Sequence, residues 1–262
     1  MKLIVSDIDG TLLDQDGALP EANRTALAQA HAGGVALALA TVRRREASEP
    51  VVQQLGLPCL LICEAGATVY DLERRLLRRL TIPLDLAHAV AQFAGQYGLP
   101  LLSTVEGQNY RGPGWPPPRF TGDGVDVADN LAALDRPPTR LIVRGAAAAE
   151  LLNTFPDAPL RLVRHYLPDG TLFDVVITHQ DATKERALAF LGAQIGIDPA
   201  DMLAIGDAEA DIGMIRLAGV GVAVGDGQPP VRAAADWIAP PASEGAVAAA
   251  VRRFVLGEGA GS

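Results

Sequence analysis

Residues 3–13, LIVSDIDGTLL, carry a run of aliphatic side chains into two carboxylates, Asp7 and Asp9, ahead of a Gly-Thr turn. Side chains two apart on a strand share a face. The pair can therefore face one reacting centre, where one carboxylate attacks and the other handles protons. Three further segments place polar residues just past an apolar run or at a helix start. Thr41 and Arg43 follow VALALA, Lys184 opens TKERALAF, and Asp207 and Asp211 stand in GDAEAD after MLAI. Carboxylates that converge in a semi-enclosed site repel and raise one another's pKa values. A divalent cation removes that conflict, and all-oxygen donors favour magnesium over zinc. Lys184 and the Thr41 hydroxyl would offer a positive charge and a donor to an anion. The chemistry predicted is metal-assisted phosphoryl transfer through a covalent carboxylate intermediate.

Such residues need a scaffold that gathers distant segments. LIVSDI, VALALAT, CLLICEAG, MLAIGDA and VGVAV read as short buried strands, with helix-like PEANRTALAQAHAGG, REASEPVVQQLG, TKERALAFLGAQIG and DIGMIRLAG between them. Apolar strands separated by helices predict a parallel sheet covered on both faces, with sites at the carboxyl ends of its strands. Residues 80–178 read differently. A helix over IPLDLAHAVAQFAGQYG precedes LLSTVEGQ, expected as a strand with one wet face, and a Gly/Pro loop, RGPGWPPPRF. TRLIVRG, AAAAELLNTF, LRLVRHYL and LFDVVITH then suggest helices on a separate mixed or antiparallel sheet. The expected organisation is a discontinuous Rossmann-like α/β domain, residues 1–79 and 179–262, with an inserted α+β domain over 80–178.

The 262 residues are 49% hydrophobic, enough for a sizeable core, and carry a net charge of -9 with a pI near 4.9. That balance argues against a general nucleic-acid or anionic-membrane surface, while a small anionic substrate remains compatible with a locally positive site. No apolar run approaches the ~20 residues of a membrane span, and no signal segment precedes the first strand. Cys59 and Cys63 lie in PCLLIC, four residues apart on one strand face and roughly 13 Å from each other. They read as small core residues, and a reducing cytoplasm is the expected compartment.

DIDGTLL, LATVR, the lysine of DATKERAL and GDAEAD, in this order, resemble the four motifs of the haloacid dehalogenase superfamily. GVGVAVGDG, AADWIAPPASEGAVAAAV and the placement of the insertion resemble its Cof-type branch, whose large α/β cap lies between the second and third motifs. The resemblance implies Asp7 as the nucleophile that becomes an aspartyl-phosphate. Asp9 would protonate the leaving oxygen and later activate water. Thr41 would hold a phosphoryl oxygen, and Lys184 would neutralise the phosphate and the nucleophile. Arg43 matches the family motif and is carried as a phosphate-binding candidate. Asp207, Asp7 and the backbone carbonyl of Asp9 would bind Mg2+, with Asp211 supporting that shell. The implied function is hydrolysis of a small phosphate monoester, a sugar phosphate for example, with substrate preference set by the cap. A phosphomutase of the same fold and a catalytically decayed ligand-binding module are the alternatives.

Three positions depart from the family pattern: Val42 stands for a glycine, and Ala65 and Ala210 stand for asparagines. Simpler roles also apply. Asp-Gly is a common turn, Asp211 can cap a helix, and Arg43, Arg44 and Arg45 read as a solvated helix start. His179 reads as a loop residue, His31, His88 and His165 show no ligand spacing, and Trp115 reads as either a lid or an anchored loop aromatic.

Overall fold

The computed structural model describes residues 1–116, 124–167 and 169–258. Along the chain, β1 (Leu3–Ser6), α1 (Glu21–Ala32), β2 (Ala36–Ala40), α2 (Arg45–Leu55) and β3 (Leu60–Cys63) alternate as the sequence predicts. Two short strands follow, β4 (Thr68–Tyr70) and β5 (Leu76–Arg79). Next come α3 (Leu84–Gln96), β6 (Leu101–Val105), β7 (Gln108–Arg111), β8 (Val125–Asp126), β9 (Arg140–Arg144), α4 (Leu151–Thr154), β10 (Leu160–Tyr166) and β11 (Leu172–His179). The alternation then resumes with α5 (Lys184–Ile195), β12 (Met202–Gly206), α6 (Ile212–Leu217), β13 (Val220–Ala223), α7 (Pro229–Ala234), β14 (Trp237–Ile238) and α8 (Ala246–Val251). The chain divides into two compact units, Met1–Arg78 with Thr183–Ser262, and Arg79–Ala182.

In the first unit the strand order is β14-β13-β12-β1-β2-β3-β4-β5, and β14 through β3 are joined by parallel pairs. Period-two alternation sends the two faces of each strand to different cores. Ile4, Leu37, Leu39 and Ile205 pack with Leu27 of α1 and Val247 of α8. Leu3, Val5, Ile62 and Ala204 pack with Leu188 and Leu191 of α5 and Met214 of α6. This two-sided burial is why these strands are apolar throughout. The central pair, β1 and β12, joins Ser6 to Ile205 across most of the chain.

The second unit has a six-stranded sheet ordered β10-β11-β9-β6-β7-β8, antiparallel except where β7 meets β8. Its core gathers Val90 and Phe93 of α3 with Leu101, Leu141, Val143 and Ile177 of the sheet. Two expectations need correction. β6 has no wet face, because it lies between β9 and β7 and all five residues are buried. The Thr104 hydroxyl donates to Asn109 Oδ1 at 2.8 Å, which satisfies it inside the sheet. AAAAELLNTF forms a 3-10 segment, Ala146–Glu150, before the single α-turn of α4. Trp115 lies 4.5 Å from the Arg144 guanidinium, which also covers Phe173 at 4.4 Å, so an aromatic–cation stack holds it within its own unit. Residues 117–120 of the Pro-rich loop lie outside the described residues.

Both cysteines are buried and unpaired, and burial pushes each thiol up to about 12. They are core residues without a thiolate to offer. Among the described residues no helix is long and apolar enough to cross a membrane.

Candidate active site

The first unit brings four strand ends and one helix start together. The Asp7 N–H donates to the Ile205 carbonyl at 3.0 Å, which extends the β1–β12 ladder to the first acid. The chain then turns at Gly10, whose φ of 74° is left-handed. A Cβ there would stand 2.7 Å from Asp207 Oδ2, so glycine lets the Asp207 carboxylate pack directly on this turn. Thr11, fully buried, donates its hydroxyl to Asp207 Oδ1 at 2.8 Å. Thr11 is a site residue that the sequence reading missed.

Lys184 is the first residue of α5, whose N-cap Thr183 accepts from the Arg186 N–H at 3.1 Å. A lysine at a helix N-terminus opposes the helix dipole, so helix stability does not explain it. Its ammonium is buried and reaches Asp7 Oδ1 at 2.8 Å and Asp211 Oδ1 at 2.6 Å. Burial alone would lower the Lys184 pKa, but the charges of Asp211 and Asp7 outweigh it and raise it. Gly66 allows the Glu64–Gly66 turn to approach this helix start, because a Cβ there would come 2.2 Å from the Thr183 carbonyl oxygen.

Asp211 is completely buried, and its second oxygen accepts the N–H groups of Asp207 and Ala208 at 3.2 and 3.0 Å. It thus fixes the turn that carries Asp207 while it faces Lys184. Ligand atoms of Asp7, Asp207 and Asp211 all lie within 4.8 Å of one another. Burial pushes the Asp7 carboxyl up to about 7; Lys184 opposes this, and Asp211 and Asp207 add to it. Burial also raises Asp207, against the Thr11 hydrogen bond.

Three carboxylates against one ammonium leave two negative charges when all are ionised. This oxygen-only donor set, short of positive charge, fits a hard divalent cation. The Asp9 carboxylate lies outside the cluster and pairs with Arg43, Nε to Oδ2 at 2.8 Å and Nη2 to Oδ1 at 2.5 Å. Thr41 is fully buried at the end of β2, and its Oγ1 accepts the Arg43 N–H at 3.1 Å. Val42, with 49% exposure, does not adopt a left-handed conformation, so its backbone does not require the family's glycine. Ala65 does adopt one, with φ 58° beside Glu64 at 53°.

The histidines lie elsewhere. His31 and His88 meet the backbone carbonyls of Val35 and Leu134, His165 pairs with Asp174, and His179 Nδ1 accepts the Asp181 N–H.

A parallel α/β sheet of the doubly wound type thus gathers acids and a buried lysine at its strand ends, where such sheets place their sites. The sequence matches the haloacid dehalogenase-like hydrolase family over residues 4–114 and 148–251, and the chain belongs to that family, in its Cof-type branch. It is 26% identical over 261 residues, 98% of this chain and 96% of the other, to the 5-amino-6-(5-phospho-D-ribitylamino)uracil phosphatase YcsE of Bacillus subtilis. It is 27% identical over 242 residues to a phosphoglycolate phosphatase of Methanoculleus marisnigri, covering 91% and 90% of the two chains. Among solved structures, a haloacid dehalogenase-like hydrolase from Bacteroides thetaiotaomicron superposes with a TM-score of 0.84 at 24% identity, over 97% of this chain and 99% of that one. The subclass IIB sugar phosphatase BT4131 gives a TM-score of 0.81 at 23% identity over the same shares. The protein is an enzyme of this family, a phosphatase.

Proposed function

We propose that this phosphatase is magnesium-dependent and hydrolyses a small phosphate monoester of the sugar-phosphate class through an aspartyl-phosphate on Asp7. The observation that carries this reading is the buried Lys184 ammonium bridging Asp7 and Asp211 beside Asp207. Lys184 lowers the Asp7 pKa against its burial and so favours the carboxylate that must attack. Residues 79–182 are assigned the choice of substrate.

In the first step an Asp7 oxygen forms a bond to phosphorus. The bond from phosphorus to the leaving oxygen breaks, and Asp9 delivers a proton to that oxygen. In the second step Asp9, now a carboxylate, takes a proton from water. The water oxygen bonds to phosphorus, the bond to Asp7 breaks, and inorganic phosphate leaves. Lys184 and the Thr41 hydroxyl hold the phosphoryl oxygens. Asp7, Asp207 and the Asp9 backbone carbonyl would hold the magnesium ion, with Asp211 behind them. The ion would supply positive charge against the phosphoryl group.

The test is phosphate release from a panel of phosphorylated metabolites, with magnesium and with chelator, together with acid-quench detection of phosphate on Asp7. Cation-dependent release with label on Asp7 is the expected result. Release without label would overturn the covalent step, and isomerised product without free phosphate would indicate a mutase. Binding without turnover across the panel would indicate a ligand-binding module.

Cation binding has its own readout. A cation at 100 times its dissociation constant stabilises the folded state by about 2.7 kcal/mol. Magnesium is expected to raise the thermal midpoint of the wild type by several degrees and that of Asp207→Asn much less. An equal rise in both would remove Asp207 from the ligand set.

A further inference from the structure

We infer that Arg43 is the positioning residue for Asp9, orienting the carboxylate that exchanges protons, and is not a clamp on the phosphoryl group. The inference rests on the reaction proposed above.

The guanidinium is committed at its reactive edge. Nε and Nη2 lie parallel on the two Asp9 oxygens, at 2.8 and 2.5 Å. Such a fork fixes the plane of the carboxylate as well as its distance. Nη1 donates to the Ala47 carbonyl at 3.3 Å, tying the tip of the side chain to the first turn of α2. The backbone of Arg43 is held too. Its N–H donates to Thr41 Oγ1 at 3.1 Å, and its carbonyl accepts from the Glu64 N–H at 2.8 Å. Arg43 is thus anchored at its main chain and its tip, with the fork turned on Asp9.

Asp9 needs such a partner. Its side chain is 52% exposed, it follows β1 by three residues, and Arg43 is its only side-chain partner among the described residues. An aspartate in that setting would otherwise sample several rotamers. Asp7, by contrast, is buried against Lys184. The two acids therefore have separate cations, one beside the attacking group and one beside the proton carrier. An ion pair this exposed contributes little to folding, so stability does not account for its two-point geometry.

The two roles separate by leaving group. Phosphoryl transfer from an alkyl monoester needs a proton on the departing oxygen. Transfer from p-nitrophenyl phosphate releases a stable phenolate and needs none. The ratio kcat/KM reports the first irreversible step and leaves out the later use of Asp9 as a base. For Arg43→Ala, kcat/KM on the alkyl substrate is expected to fall ~10–100-fold, against at most about threefold on p-nitrophenyl phosphate.

In an Asp9→Asn background, Arg43→Ala is expected to add nothing on the alkyl substrate. Arg43→Lys is expected to restore little, because a single ammonium lacks the fork. Equal losses on both substrates, or a further loss in the Asp9→Asn background, would assign Arg43 to the phosphoryl group. Full rescue by lysine, or no loss in Arg43→Ala, would also overturn the inference. The thermal midpoint of Arg43→Ala is expected to match the wild type, which excludes unfolding as the cause. Wild-type turnover and the label on Asp7 report on the covalent phosphatase reading independently.

Discussion

Asp7→Asn is expected to abolish turnover, by ~10⁴-fold or more in kcat, and to make the metal-free protein more resistant to heat at pH 8. Burial pushes the Asp7 carboxyl up to about 7, from an ordinary value near 3.8. The folded chain therefore holds a proton that the unfolded chain has released between those two values. Stability linked to Asp7 falls as pH rises through this window and levels off above about 7. At pH 5 the folded wild type keeps a proton that its unfolded chain has largely released, so the variant should already melt somewhat above the wild type, and the gap should widen up to about pH 7. At pH 8 the wild type carries a buried carboxylate that asparagine does not, a difference of up to about 4 kcal/mol. Thermal unfolding with chelator across pH 5–8, beside phosphate release with magnesium, checks both halves. A variant that melts below the wild type at pH 8 would contradict the electrostatic description, and one that keeps its activity would remove Asp7 as nucleophile.

Lys184→Met is expected to be equally inactive but to shift stability the other way. Lys184 is 2% exposed and lies against Asp7 and Asp211, both buried. Methionine keeps much of the volume and removes the cation, leaving two facing carboxylates without a counter-charge. Breaking a buried pair on one side costs ~3–5 kcal/mol. The loss should grow with pH as Asp7 ionises, and Asp7→Asn in the Lys184→Met background should recover part of it. Two inactive variants with opposite effects on melting would separate the charge of the site from its chemistry. A Lys184→Met protein that melts with the wild type would show that the cluster does not depend on that ammonium.

The parallel sheet was legible because two-sided burial makes its strands apolar end to end, as in LIVS of β1 and MLAIG of β12. β5 was not legible, because none of its residues is buried and LLRR carries no alternation. β6 misled because Ser103 and Thr104 look solvent-facing in sequence, and only its place between two strands buries them. Within the candidate site, the acids and the lysine stand out as polar residues at the ends of apolar runs. Thr11 does not, since a threonine after Asp-Gly reads as part of a turn, and its partner Asp207 is 196 positions away. Arg43 stands out from its run of three arginines only through the family motif, and its link to Asp9, across 34 positions, is not legible in the sequence. Val42 attracted notice as a missing glycine, yet the left-handed backbone is at Glu64 and Ala65.

The register that sets Ser6 beside Ile205 also has a consequence for synthesis. Chain elongation at ~5–20 residues per second separates the appearance of these two strands by roughly 10–40 s. Throughout that interval β1 has β2 on one side and an open hydrogen-bonding edge on the other. Residues 79–182, made in the meantime, have a core of their own. A nascent chain stalled before residue 183 would thus carry a half-sheet with one open edge and two acids with no lysine beside them.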